Sequence, residues 1–99
     1  ALERRIASIE GAIRTLEGNI QRLRNQKRNL ERRAADYERT GREIPDALID
    51  NIRVIDGQIG ERRQEIEQRR SEIVTTREEF ARDRDRVRDL LGLTDDDGR

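Results

Sequence analysis

Along the first forty positions the apolar residues fall at Leu2, Ile6, Ile9, Ile13, Leu16, Ile20 and Leu23, then at Leu30, Ala34 and Tyr37. The spacing alternates between four and three residues, and Lys27 fills the one position where the pattern asks for an apolar side chain. A sustained repeat averaging about 3.5 residues predicts a helix that buries a narrow stripe against another helix with left-handed supercoiling. The second half repeats the pattern more weakly. One seam position stays apolar through Ile52, Ile59, Ile66, Ile73, Phe80 and Val87. The other begins with Leu48 and Ile55, decays to Arg62, Arg69, Thr76 and Asp83, and recovers at Leu90.

Between the two stripes the chain reads Thr40-Gly41-Arg42-Glu43-Ile44-Pro45-Asp46. Gly41 suits the left-handed position just past a helix end. Pro45 suits the first turn of the next helix, and Asp46 the positive end of its dipole. Gly92 marks a second stop, with Leu93 placed for the apolar contact that often accompanies it. The prediction is an all-α fold. One helix covers about residues 2–40, a loop 41–45, a second helix about 46–91, and an acidic tail 92–99. A short loop between long helices makes an antiparallel coiled-coil hairpin.

Charge supplies a register. If facing seam residues have numbers summing to 82, Leu30 meets Ile52, Leu23 meets Ile59, Leu16 meets Ile66, Ile9 meets Ile73 and Leu2 meets Phe80. No two charged side chains then oppose each other in the seam. On the flanks Glu10 falls beside Arg70, Glu17 beside Arg63, Arg24 beside Asp56 and Arg5 beside Glu79, all of opposite sign. Such pairs select a register more than they stabilise it. The part up to Glu43 holds 11 basic and 7 acidic residues and the remainder 11 and 15, which suits pairing of one half with the other.

Composition narrows the reading. Charged residues are 44% of the 99, apolar ones 31%, and Tyr37 and Phe80 are the only aromatics, so a conventional globular core is excluded. There is no Cys and no His, which removes thiol chemistry, disulfides, common zinc sites and histidine acid–base catalysis. No apolar run approaches the roughly 18–20 residues of a membrane span, and no secretory core is visible, so membrane insertion is not expected and the location expected is cytoplasmic. The stripe is already under way at Leu2, which reads as a piece of a larger protein. Arginine outnumbers lysine 21 to 1, a bias compatible with a GC-rich, bacterial genome.

Several features are candidates for function. Arg22, Arg24, Lys27, Arg28, Arg32 and Arg33 stand against a single Glu31 and form the strongest basic patch, suited to phosphates but without interleaved aromatics. Val87, Leu90 and Leu91 continue the stripe beyond the last partner that helix one can offer, and form a candidate association site. Lys27, Arg62 and Arg69 weaken the seam. Their stems are expected to lie over it with their heads in water, the alternative being a device against wrong oligomers or a contact for an acidic partner. The run from Arg82 to Asp89 alternates Arg and Asp, yet Arg82–Asp85, Asp83–Arg86 and Asp85–Arg88 are helical neighbours that neutralise one another. Gly11, Gly18 and Gly57 fall on the position farthest from the seam, either as drift on a solvent face or where a further helix approaches. Residues 94–98 lack the spacing of a calcium loop.

No catalytic constellation, metal site or cofactor site emerges, and no motif is specific enough to name a family. The expected function is that of a protein–protein interaction module, a rigid arm, spacer or oligomerisation element, with self-association as a dimer. The alternative is a nucleic-acid-contacting arm that uses the Arg22 to Arg33 patch.

Overall fold

The computed structural model describes residues 1–92. The expected acidic tail and the Leu93 contact lie outside the described residues. Two helices make the fold: α1, Leu2–Arg39, and α2, Asp46–Leu90. They pack on each other as an antiparallel hairpin, a rod 83 × 19 × 16 Å. Among the described residues there is no strand.

The turn is built as its residues suggest, with two adjustments. Gly41 adopts φ +73, the left-handed conformation a β-carbon disfavours. Its N–H donates to the Glu38 carbonyl and the Arg42 N–H to the Tyr37 carbonyl, the paired bonds of a Schellman cap. The apolar contact usual for that motif is replaced by the Arg42 guanidinium, 4.5 Å from the centre of the Tyr37 ring. Thr40 is thus the cap rather than the last helical residue, and its hydroxyl donates to the Asp36 carbonyl at 3.0 Å. Pro45 stands one place earlier than expected, at the N-cap, with ψ 138. Its carbonyl accepts the first bonds of α2 from the Leu48 and Ile49 N–H groups. An extended ψ is compatible with the fixed proline φ, and the cap keeps the carbonyl useful while the missing N–H lies outside the helix. At the far end Leu91 is likewise the cap, and Gly92 takes φ +71.

The seam follows the expected register. Leu16, Ile20, Ile55, Ile59 and Ile66 form the buried cluster, with Ile13, Leu23 and Leu30 packed against it. Ile6, Ile9 and Leu48 are buried as well. None of the described side chains is completely enclosed. Two helices touch along one line only, and each seam residue keeps an edge toward solvent.

The weak seam position of α2 behaves unevenly. Thr76, expected as part of a decaying stripe, is 4% exposed and the most buried polar residue described. In the register it is the counterpart of Ile6, which is buried as well. Phe80, expected to close a layer with Leu2, remains 45% exposed. The two line a common cleft with Arg5 and Glu79. α1 begins at Leu2, so the outer side of the Phe80 ring has no helix across from it.

Candidate functional site

The seam charges resolve into local pairs. The Lys27 ammonium meets the Asp56 carboxylate at 2.7 Å and joins the two helices. Its side chain is about one-third exposed, so the stem lies over the seam while the head reaches the flank. The hydrogen bond to Asp56 holds the Lys27 pKa above the ordinary lysine value, helped by the negative charges of Asp56 and Glu31 and opposed by partial desolvation and Arg63. Arg62 pairs with Glu65, and Arg69 with Glu72 at 3.0 Å, each one turn along the same helix.

This changes the expected flank. Arg24 does not pair with Asp56, because Lys27 takes that carboxylate. Arg70 pairs with Glu67 at 2.6 Å rather than with Glu10. Among the described residues no ion pair joins Glu17 to Arg63 or Arg5 to Glu79. A partner three residues away on the same helix is already in reach, whereas a cross-helix pair must immobilise two long exposed side chains. The flanking charges therefore act as a field that disfavours other registers, not as a set of bonds.

The basic patch is exposed except for Lys27, which is half-buried. Arg22 donates to Asn19, and Arg28 to Asn25 at 3.3 Å. Arg24, Arg32 and Arg33 form no ion pair among the described residues. The patch wraps around α1 instead of forming one face, and Lys27 is committed to Asp56. In the Arg–Asp run, Arg86 meets Asp83 and Arg88 meets Asp85, both at 3.9 Å, as the neutralised-helix reading expects.

Val87 is 53% and Leu90 79% exposed, and Leu91 is exposed beside them. The candidate association stripe is thus bare along α2 past the level of Leu2. A β-carbon at Gly57 or Gly60 would meet nothing within 4 Å, and one at Gly11 or Gly18 only the tip of an arginine. No helix among the described residues packs there.

Two features were not read from the sequence. Val54 is 58% exposed, larger than a solvent-facing position ordinarily holds. It borders a cleft near the loop with Leu30, Ile55, Gln26, Arg33 and Asn51. Further clefts between the helices are bordered by Asn19, Leu23, Gln58 and Arg62, by Ile9, Ala12, Arg69 and Glu72, and by the Leu2–Phe80 group. All of these open on the same side of the rod. The signal was available: five flanking positions on this side, Ala12, Asn19, Gln26, Asn51 and Gln58, are uncharged in a chain that is 44% charged.

Among the described residues no group of three or more acidic side chains is placed to hold a metal ion, and no helix is long and apolar enough to cross a membrane. No protein-family model, no curated protein and no solved structure matches this chain.

Proposed function

We propose that this chain is an antiparallel coiled-coil interaction module, a stiff arm or spacer that also associates through its loop-distal end, and not a catalyst. The observation that carries the reading is the contrast along one rod 83 Å long. Its middle satisfies its own apolar stripe, while the same stripe stands bare at Val87, Leu90 and Leu91. Exposed apolar residues that continue a seam are positioned to extend it with a further helix. The clefts are shallow grooves along the seam rather than enclosed pockets, which suits contact with an extended partner better than capture of a small substrate. The test is sedimentation of the natural chain against Val87→Glu/Leu90→Glu. Concentration-dependent association lost in the double variant supports the reading. Monomers in both cases, up to high concentration, remove self-association from it.

The second reading, a nucleic-acid-contacting arm, is favoured by one observation: Arg24, Arg32 and Arg33 are exposed without ion pairs among the described residues. Binding of duplex RNA or DNA that falls steeply with salt and is lost in Arg24→Glu/Arg32→Glu would support it. Absence of binding at low salt would eliminate it.

A further inference from the structure

The two long faces of the rod differ. On one, α1 places Glu3, Glu10, Glu17 and Glu31. In the 82 register Glu10 and Glu17 stand beside Arg70 and Arg63 of α2, as Arg5 stands beside Glu79 on the other face, and among the described residues no ion pair joins any of the three. The other face is the side on which the clefts open. There α1 carries no acid from Ala1 to Arg33. Its outward positions include Arg5, Ala12, Asn19, Arg22, Gln26 and Arg33. The α2 half of this face carries Glu61, Glu65, Glu72 and Glu79. Glu65 and Glu72 are held by Arg62 and Arg69, but Glu61, Glu79 and Arg33 have no ion pair among the described residues, and Arg22 donates only to Asn19.

We infer that this grooved face binds a second copy of the chain, side by side and in the same direction, to make a four-helix bundle. This rests on the reading of the chain as an association module and names its partner and surface. A two-fold axis along the rod sets α1 of each copy over α2 of the other at the same level. Arg22 of one copy then faces Glu61 of the other, Arg5 faces Glu79, Gln26 faces Gln58, and Asn29 faces the exposed Val54. Every contact occurs twice, and no like charges meet among these pairs. Reversing one rod would instead stack the α2 glutamate column on itself. Acid over acid is disfavoured.

The area is sufficient. Where the two helices run side by side, over the roughly 57 Å of α1, a face about 16 Å across is on the order of 900 Å², comparable with the about 800 Å² per partner that a standard interface buries. Apolar contact along it is modest: Val54, the exposed edge of Phe80 and the half-buried Leu23 and Leu30. Amides and charge pairs supply much of the rest, so the dimer should weaken as salt rises. The parallel arrangement also brings both Val87–Leu90 stripes to one end of the bundle, where each lacks a helix of its own chain.

Charge reversal tests the arrangement, since Arg22 and Glu61 are exposed and lie outside the seam. Sedimentation would compare the natural chain, Arg22→Glu, Glu61→Arg, and an equimolar mixture of the two variants, with circular dichroism confirming that all stay helical. In each single variant like charges oppose twice, and self-association should fall roughly tenfold or more. In the mixture one copy of each variant restores opposite charges at both contacts, so heterodimers should form. Single variants that dimerise as well as the natural chain, or a mixture no better than its components, would overturn the grooved-face dimer. If the natural chain still dimerises in that case and Val87→Glu/Leu90→Glu abolishes it, the association module stands and only this surface is wrong. A natural chain that is monomeric throughout overturns this dimer and removes self-association from the proposed function, leaving the arm or spacer.

Discussion

Ile59 and Val87 hold the same seam position four heptads apart on one helix, yet Ile59 is buried and Val87 is 53% exposed. Nothing in their local sequence explains the difference. Both sit on the apolar stripe and both are β-branched. What separates them is the neighbour. At Ile59 α1 stands opposite with Leu23, and at Val87 it has ended. The stripe specifies where a helix wants company, and the length of the partner helix decides which part of the stripe finds it. The buried middle therefore supplies stability, and the far end of the stripe stands exposed.

The largest effect expected from this comparison is Ile59→Asp, which buries a carboxylate without a partner and should remove several kcal/mol, enough to unfold a rod of this size. The matched Val87→Asp should change the melting of the isolated hairpin by less than about 0.5 kcal/mol, as exposed substitutions do. Thermal or urea unfolding of the two decides it. Equal losses would mean that the end of α2 is covered and that the two regions do not differ.

A smaller effect separates two glycines. Gly41 holds φ +73 in the loop, and a β-carbon there is strained, so Gly41→Ala should cost about 1 kcal/mol or more. Gly57 is helical with open space around it, and Gly57→Ala should gain up to about 1 kcal/mol. The same melts measure both. Destabilisation by Gly57→Ala would show that a partner helix approaches that face closely.

Smaller again is Arg62→Ala. Arg62 interrupts the stripe opposite Ile20 and its partner Glu65 lies on the same partly exposed flank, so the melt should move by no more than about 1 kcal/mol in either direction. A loss approaching that of Ile59→Asp would place Arg62 among the residues that hold the seam.

The smallest effect is a pH dependence. Lys27 has its pKa raised by Asp56. A raised lysine stabilises the fold fully at pH values below the unfolded pKa of about 10.4, and that contribution fades as pH climbs through the folded value. The stability difference between the natural chain and Lys27→Met should be constant from neutral to weakly alkaline pH and change only above that range. A change between pH 6 and 9 would mean that another group controls this layer.

Much of the hairpin is legible in the sequence. Heptads need only residue type and spacing, and the turn needs only Gly41 and Pro45 at the right distance, so helix ends came within one residue. The register was legible too, because a one-heptad slip would set Lys27 against Arg62. The individual ion pairs were not legible. Arg24 and Lys27 compete for Asp56, and which one wins depends on where each stem leaves the helix and how far its head must travel. Thr76 shows the same limit from the apolar side, since a short polar residue reads as a break in the stripe and yet is buried.

Periodicity and local backbone chemistry suffice to say that two helices form, where they turn and which stripes they bury. Tertiary structure alone decided which stripe residues are covered, which carboxylate each cation takes, and that the clefts gather on the face bearing Val54. These depend on what stands across from a residue. A helix with a 3.5-residue repeat presents the same stripe along its whole length, and only the packed partner distinguishes its buried middle from its open end.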